Sequence, residues 1–446
     1  MLRRSVLNLL VIVTVAASLS GCESMRAARR RALQGTITAR HSLPGQRPPS
    51  TPAARAAEEL WIVARNGEPG SLAGAAGASA PGALPSLRAV AEGAGGATTL
   101  QPKGVAVHAG IAGPAAEVAI RQQYENPFDH SVEVEYVFPL PANAMVTDFV
   151  LSIGTRHIRG LIREHGEAQR IYEEAKRAGH LASLLTQERP NTFTQTVANL
   201  AADEEIEVET TYFTPLGYRD AEYQLLVPLA AEPGEAPVAP LRLEADIDAG
   251  MAIESVYSPS HAIEVEPIGE GRARFAVDAD GRFNRRPFEL RYKTAGEQTR
   301  TGFLAHSDPR GRFFTLILQP PSSEPQPTLT DIHIDWGVLE VTEVYPNPIP
   351  DVTDGRPLIL TGRFRRATPT TIRIDAQSGS DRQSYEHTVS VADLVENHPT
   401  LAIQWLRGRL QQPGAPVTDV AFEYGLASPR SGFLAVDASA REAAEQ

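Results

Sequence analysis

The chain has 446 residues, of which 42% are hydrophobic and 22% are charged. This composition is typical of globular proteins and excludes a wholly disordered or membrane-spanning chain, and the length predicts two or three domains. The formal net charge of −12 repels phosphate backbones, so no nucleic-acid partner is expected. A single cysteine excludes an internal disulfide bond.

The first residues have the pattern of an export signal that ends in a lipid attachment site. Two arginines precede an apolar run from Val6 to Ala17, and Leu19-Ser20-Gly21-Cys22 comes after it. The run is shorter than the roughly 20 residues that cross a membrane. We therefore expect residues 1–21 to be a lipoprotein signal peptide and Cys22 to carry the lipid. The alternative is an ordinary cleaved signal in which Cys22 has no role.

A lipidated Cys22 predicts a protein that is bound to the lipid bilayer in the cell envelope. The next residue is Glu23, and a residue other than Asp there resembles lipoproteins that are forwarded to the outer membrane. In a Gram-negative organism we expect the chain on the outer membrane, facing the periplasm or the cell surface. Four arginines come next, which either contact anionic headgroups or only solubilise the segment: Arg26, Arg29, Arg30 and Arg31.

Residues 22–97 are rich in Ala, Gly, Pro, Ser and Arg. Such a segment buries too little apolar surface to fold alone, so it is predicted to be a low-complexity tether. One island within it, Leu60 to Ala64, has strand character. It either adds an edge strand to the next domain or is an apolar patch on a disordered stalk.

From Val105 the apolar residues recur with a period of two, which predicts antiparallel strands with one dry and one wet face. One helix is predicted from Glu167 to Ala178, with Gly179 as its stop signal. Acidic residues line the wet face of two strands and either bind a cation or simply face solvent: Glu133, Glu135, Glu205, Glu207 and Glu209.

Residues 98–230 contain an ordered series of short motifs: Asn126-Pro127, Tyr136-Val137-Phe138-Pro139-Leu140-Pro141, Asn143-Ala144, Val146-Thr147-Asp148-Phe149, Glu167-Ala168, Ile171-Tyr172, Ala175, Gly179, Ala182-Ser183-Leu184-Leu185, Glu188-Arg189-Pro190-Asn191, Phe193 and Val197-Ala198-Asn199. This series resembles the VIT domain, which is named for vault proteins and inter-alpha-trypsin inhibitor heavy chains. The resemblance implies a β-sandwich with one crossing helix and no catalytic residues. Within the motifs, Tyr136 and Phe138 are expected to fill the core, and Asn199 to bind loop backbone groups.

The rest of the chain resembles the flanks of a von Willebrand A domain without the domain itself. Residues 313–321 resemble the strand and proline pair on its N-terminal side, and residues 331–337, 344–346 and 360–364 resemble the segments on its C-terminal side. A linker, residues 322–328, replaces the domain and its metal-binding Asp-x-Ser-x-Ser loop. The nearest imitations of that loop are Asp375-Ala376-Gln377-Ser378-Gly379-Ser380, which is out of register, and Asp437-Ala438-Ser439-Ala440-Arg441, which lacks the second serine.

The segments beside the linker alternate like strands, so residues 241–390 are predicted to form a second β-sandwich with strands paired across the linker. Residues 391–446 are predicted to contain a helix from about Pro399 to Leu410, with Leu401, Trp405 and Leu406 on its apolar side. A final strand, Phe433 to Val436, is expected to pack beside the second sandwich. The predicted fold class is therefore mainly β.

No motif for catalysis or for a metal or other cofactor is found. His157, His165 and His180 have no paired-ligand spacing, and no nucleophile elbow, Walker loop or dinucleotide glycine pattern is present. Asp278-Ala279-Asp280-Gly281 resembles the start of a calcium loop but lacks the later ligands, and a hairpin turn is the favoured interpretation. We expect no catalytic, metal-binding or cofactor-binding residues.

Two classes of function remain. The first is a membrane-anchored envelope lipoprotein whose VIT domain is a non-enzymatic protein-interaction or structural module, with an envelope protein or a glycan as partner. The second is an envelope hydrolase or an enzyme accessory with an active site that scattered Asp, Glu and His residues assemble in the fold.

Overall fold

The structure is a computed structural model, and it describes a set of segments between residues 61 and 436. These segments are 61–64, 84–90, 97–141, 143–153, 156–159, 161–163, 170, 173–174, 176–177, 182–189, 192–229, 239–280, 286–294, 296–322, 328–395, 397–412 and 431–436. The chain is mainly β, as the sequence predicts. Within these segments, no helix is both long and apolar enough to cross a membrane.

The first sheet has eight strands, and most of them come from the region that resembles the VIT domain. In spatial order they are β1 (Trp61–Ala64), β9 (Leu161–Arg163), β27 (Ser431–Val436), β10 (Ala182–Arg189), β11 (Thr192–Leu200), β6 (Val132–Pro139), β2 (Ser86–Val90) and β3 (Thr98–Leu100). Of the predicted island, residues 61–64 form β1, which stands at one end of the sheet order and pairs with β27 and β9.

The second sheet also has eight strands and covers the other side of the first core. In spatial order they are β17 (Val265–Gly269), β18 (Arg272–Asp280), β15 (Pro240–Asp248), β4 (Gly104–Ala112), β5 (Ala115–Glu125), β12 (Glu205–Pro215), β7 (Met145–Ile153) and β8 (Arg156–Arg159). The predicted alternation is present here: along β4 every second side chain from Val105 to Ile111 is buried. The buried faces of both sheets meet in one hydrophobic core that contains Tyr136 and Phe138, as predicted.

A third sheet extends this first core. Its four strands are β13 (Gly217–Arg219), β14 (Glu222–Val227), β19 (Phe288–Lys293) and β16 (Ser255–Tyr257). Tyr223 and Tyr292 stack at 5.0 Å inside it, and the Tyr292 hydroxyl donates to the backbone oxygen of Gly113.

Two smaller sheets enclose a second core. The fourth sheet contains β20 (Arg300–Asp308), β21 (Gly311–Gln319), β24 (Leu358–Phe364) and β23 (Val341–Tyr345), and the fifth contains β22 (Thr330–Asp335), β25 (Thr370–Ser378) and β26 (Asp381–Val389). β21 pairs with β24 from Phe313↔Arg363 to Leu318↔Leu358. Strands on the two sides of the linker are therefore paired, as expected from the sequence.

The two cores separate between Tyr292 and Phe303 and not at residue 241, where the sequence places the start of the second sandwich. The reason is that β15 lies parallel to β4, from Leu241↔Val105 to Asp248↔Ala112. A parallel partner more than a hundred residues away leaves no local turn signal in the sequence.

Two helices come after the last strand of the fifth sheet, α1 (Val391–Val395) and α2 (Thr400–Leu410). The predicted helix is thus confirmed, and Leu401, Trp405 and Leu406 are fully buried. They join Leu304 and Phe313 of the fourth sheet, and Ala112, Ala115 and Phe213 of the second sheet, in a third apolar cluster. Helix α2 therefore packs between the second and fourth sheets.

The placement predicted for the last strand is wrong. β27 pairs antiparallel with β10, from Ala182↔Val436 to Leu184↔Leu434, and with β1. It belongs to the first sheet and not to the second sandwich. The physical reason is that the edge of β10 away from β11 offers unpaired backbone N–H and C=O groups, which β27 satisfies.

Candidate functional site

The predicted lipid attachment residue, Cys22, lies outside the described residues, as do the four arginines that come after it. His165, His180 and the Asp437 motif also lie outside them. Of the predicted crossing helix, five residues are described and all are helical: Arg170, Glu173, Glu174, Lys176 and Arg177.

The acidic stripe on β12 forms ion pairs across the strands. Arg121 Nε donates to Glu209 Oε2 at 2.9 Å, and its guanidinium lies 3.3 Å from Glu207. Lys103 Nζ lies 2.6 Å from Glu205. Cross-strand pairs of opposite charge stabilise a sheet and occupy the carboxylates that a cation would need. The geometry therefore favours the solvated-face interpretation of this stripe.

The imitation of a metal loop at Asp375 is a β-hairpin. Asp375 and Ser378 lie in β25, and Gly379, with φ of +60°, occupies the turn to β26. Hydrogen bonding from Ser384 and the nearby Arg382 lower the pKa of Asp375. Within the described segments, no group of three or more His, Cys, Asp or Glu residues is placed to hold a metal ion.

The hairpin turn expected at residues 278–281 is not found among the residues described. Asp278 and Asp280 lie in β18, where they pair with Arg242 and Pro240, and Gly281 falls outside the described residues. Asp-Gly is a hairpin signal when the strands on both sides of it pair with each other. Here β18 and the next described strand, β19, belong to different sheets.

Two asparagines of the VIT resemblance bind backbone groups. Asn126 is fully buried, and its Nδ2 donates to the backbone oxygens of Leu200 and Ala201 at 3.2 and 2.7 Å. Its Oδ1 accepts from the Phe128 N–H. Asn199 has φ of +59° and donates to Lys176 O at 3.2 Å. Both short amides satisfy backbone oxygens. The sequence predicts such a role for Asn199, but the oxygen that it binds belongs to the helical segment and not to a loop.

The aromatic and polar residues beside them belong to the core. The Tyr136 hydroxyl donates to Gln122 Oε1 at 2.5 Å, and Gln122 Nε2 donates to Pro85 O at 3.0 Å. Burial raises the pKa of Tyr136 well above its usual range, so this phenol is neutral. Because every partner is another buried group, this network stabilises the domain and does not present chemistry to a ligand.

The structure adds a cleft that sequence reasoning missed. It has a volume of about 760 Å³ and opens at the ends of β20, β21, β23 and β24. Its charged lining consists of Asp308, Arg312, Glu343, Arg363 and Arg365. The signal available in the sequence was the recurrence of arginines at two strand ends, Arg310-Gly311-Arg312 and Arg363-Phe364-Arg365-Arg366.

Arg363 is held rigidly at the centre of this cleft. Its guanidinium carbon lies 5.5 Å from the ring centre of Phe313 and 5.2 Å from that of Trp405. Its Nη2 donates to Arg310 O at 2.7 Å, and its Nη1 donates to Glu343 at 3.2 Å. A Cβ on Gly311 would lie 2.5 Å from Arg363 Nη2, so only glycine fits at this hairpin turn.

His306, Ser307 and Asp308 are consecutive residues beside the cleft, but they do not form a catalytic triad. His306 Nε2 lies 3.4 Å from Asp308 Oδ2, and burial lowers the pKa of His306. Successive side chains of a strand point to opposite faces. Ser307 is therefore on the other face of β20 from its two neighbours and is not activated by them.

A second serine and histidine are in contact near the third sheet. Ser260 Oγ lies 2.8 Å from His261 Nδ1 and accepts from the Glu289 backbone N–H at 2.8 Å. It also lies 3.1 Å from Ser258 Oγ, which accepts from the backbone N–H of His261. These contacts order a loop against β19. They nevertheless place a hydroxyl beside an imidazole, and a serine nucleophile needs such a neighbouring base to be activated.

Comparison with known proteins agrees with the resemblance. The family model for the vault protein inter-alpha-trypsin domain (VIT) matches residues 102–212. Protein mono-ADP-ribosyltransferase PARP4 of Homo sapiens is 40% identical over 101 residues, which are 23% of this chain and 6% of that protein. Inter-alpha-trypsin inhibitor heavy chain H6 of Homo sapiens is 27% identical over 150 residues, which are 33% of this chain and 11% of that protein.

The chain thus covers no more than 11% of the length of these relatives, and their likeness concerns a domain and not whole proteins. Among solved structures, a candidate nutrient-binding protein from Legionella pneumophila matches 48% of this chain and 72% of its own, with 8% identity and a TM-score of 0.31. That likeness carries no argument. The family model and the aligned relatives show that the chain contains a VIT domain, matched over residues 102–212.

Proposed function

We propose that the chain is a lipid-anchored protein of the cell envelope whose VIT domain is a non-enzymatic protein-interaction or structural module. The observation that carries the second part is the role of the VIT landmarks. Asn126, Tyr136, Phe138 and Asn199 are all used in the core or in backbone contacts. The domain therefore offers a rigid surface and not a site of chemistry.

The lipid anchor is proposed from the sequence pattern. Basic residues, an apolar run and small residues before the sole cysteine coincide at Cys22. We propose attachment to the bilayer through this residue. If the organism is Gram-negative, the proposed location is the outer membrane, facing the periplasm or the cell surface. An envelope protein or a glycan is the proposed partner.

The anchor is tested by Cys22→Ser in the native organism, with Ser24→Ala as a matched control beside the same motif. We expect the wild type and Ser24→Ala in the membrane fraction. The Cys22→Ser chain should not carry lipid, as mass spectrometry of the protein will show. A lipidated Cys22→Ser chain, or a wild type without lipid, contradicts the anchor.

The name of PARP4 includes mono-ADP-ribosyltransferase, but the aligned residues are only 6% of that protein. We therefore do not transfer this activity to the chain. The proposed binding role rests on the domain that is shared.

The alternative function is an envelope hydrolase or an enzyme accessory, and Ser260 beside His261 is the observation that favours testing it. The purified full chain is screened against ester, phosphoester and glycoside substrates, with and without divalent metal ions. Ser260→Ala is the decisive variant, and Ser258→Ala is its matched control. We expect no turnover above background. Turnover that Ser260→Ala abolishes and Ser258→Ala retains would replace the binding proposal by a catalytic one.

A further inference from the structure

The arginine cleft carries local positive charge although the chain as a whole has a net charge of −12. Two carboxylates line it, and each already has a partner: Asp308 pairs with Arg310, and Glu343 pairs with Arg363. Arg312 and Arg365 line the same cleft and form no ion pair with a carboxylate in the described segments. The charges that line the cleft are three guanidinium groups and two carboxylates, an excess of one positive charge. Arg310, the partner of Asp308, lies next to the cleft and raises the local excess to two.

Arg312 and Arg365 are linked to each other and to the sheet. Arg312 Nη1 donates to the backbone oxygen of Arg365 at 2.7 Å, which fixes one edge of its guanidinium and leaves the rest directed to solvent. Both residues are exposed. The Arg365 backbone N–H donates to Leu339 O and Glu340 O, so the chain that carries its side chain is ordered. The cations are thus brought together by the fold.

We propose that this cleft binds a phosphate or sulfate group through Arg312, Arg363 and Arg365. Guanidinium groups form paired, charge-assisted hydrogen bonds with oxyanions. Arg363 is paired with Phe313 and shares its face of the fourth sheet. Arg312 precedes Phe313 in β21 and Arg365 follows the end of β24, and all three line the cleft at this end of the two strands. A tetrahedral anion offers acceptors in several directions, whereas a carboxylate offers two in one plane. The former suits three guanidinium groups that reach the cleft from different backbone positions.

The preorganisation of Arg363 is the second argument. Its guanidinium packs against both Phe313 and Trp405 and donates to Arg310 O and Glu343, so little side-chain freedom remains to be lost when an anion binds. The size of the cleft is the third. The cleft is partly open to solvent, and its volume of about 760 Å³ leaves room beside one inorganic anion for the rest of a small molecule. The proposed ligand is therefore a small molecule that bears a phosphate or sulfate group.

The site lies outside residues 102–212 and does not depend on the role proposed for the VIT domain. The test uses the full chain and isothermal titration calorimetry at constant ionic strength. The probes are inorganic phosphate, inorganic sulfate and acetate, titrated separately so that the two oxyanions are distinguished. The variants are Arg312→Ala and Arg365→Ala. Arg356→Ala is the matched control, because it removes the same charge from an exposed position outside the cleft.

We expect saturable binding of phosphate, sulfate or both to the wild type and to Arg356→Ala, with acetate at least about fivefold weaker. Each cleft variant should bind the same oxyanion with an affinity about tenfold lower, or lower still, as is usual for the loss of a charge-assisted hydrogen bond. Circular dichroism of the variants verifies that they are folded. Absence of saturable binding by the wild type, or equal weakening in Arg356→Ala and the cleft variants, overturns the proposal. Acetate binding as tight as phosphate or sulfate also overturns it.

Discussion

Helix α2 packs against both the second and the fourth sheet, and Trp405 is its largest buried side chain. The indole packs 5.4 Å from the ring centre of Phe313 and 6.4 Å from that of Tyr345. Its Nε1 donates to the backbone oxygen of Glu343 at 3.0 Å. The substitution Trp405→Ala removes all of these contacts at once and leaves a cavity between the two sheets.

The expected loss depends on the size of the side chain. Removal of a fully buried aromatic side chain lowers the free energy of unfolding by about 3–5 kcal/mol. The guanidinium groups of Arg363 and Arg409 lie 5.2 and 5.5 Å from the same ring and contribute about 0.5–1 kcal/mol each. We therefore expect Trp405→Ala to lower the free energy of unfolding by about 4 kcal/mol or more.

The assay is equilibrium unfolding of the full chain in urea, monitored by circular dichroism. Trp336→Ala is the matched control, since Trp336 is half-buried and packs against Phe314 at 5.0 Å. The same chemical change should cost less there. Trp405→Phe keeps a buried ring but loses the donor to Glu343 O. It should cost about 1 kcal/mol for the lost hydrogen bond, in addition to a packing loss smaller than that of Trp405→Ala. If Trp405→Ala costs no more than Trp336→Ala, helix α2 does not pack between the two sheets as described.

Three further outcomes are expected of the same chain. Asn126→Ala should lower the free energy of unfolding, measured in urea, by about 2 kcal/mol, because the buried backbone oxygens of Leu200 and Ala201 lose their donor. Gln123→Ala, which removes an amide from an exposed position, is the control and should lower the free energy of unfolding clearly less. Gly113→Ala should lower the free energy of unfolding by about 1–2 kcal/mol, because φ of Gly113 is +53° and a Cβ there would lie 3.0 Å from the Ile317 side chain. Gly110→Ala is the control: a Cβ there would have no atom within 4 Å, so the free energy of unfolding should be nearly unchanged. Burial lowers the pKa of His306 and of His387, so below the ordinary histidine pKa the unfolded chain binds more protons than the folded chain. The full contribution of these two residues to the free energy of unfolding is therefore present above that pKa. It is lost as the pH drops from about 7 to 5. The double variant His306→Gln, His387→Gln should flatten that dependence in thermal unfolding, and an unchanged slope would show that these histidines are not its source.

The first core was largely predictable because its signals are local. Alternation of buried and exposed residues in β4, β6 and β12 is visible in the sequence, and Asn126-Pro127 marks a turn by its own chemistry. The helix at Thr400–Leu410 was also predictable, since Leu401, Trp405 and Leu406 recur at helical spacing. Each of these elements is specified by residues within one short window.

The misplaced elements depend on contacts between distant residues. β15 joins β4 and β27 joins β10 by backbone hydrogen bonds, and backbone groups are the same in every strand. The sequence of Ser431–Val436 therefore predicts a strand but does not indicate which strand it pairs with. The arginine cleft was missed for the same reason, because Arg312 and Arg363 come together only when β21 pairs with β24.

These added strands also limit how the VIT domain can meet a partner. A sheet edge offers unpaired backbone groups to which another chain can add a strand. β15 occupies the free side of β4, and β27 occupies the free side of β10. Strand addition at these two places would require the displacement of a segment of the same chain. Among the described strands, β3, β8 and β17 lie at ends of the two large sheets. A strand added by the proposed partner would meet them without displacing a described strand.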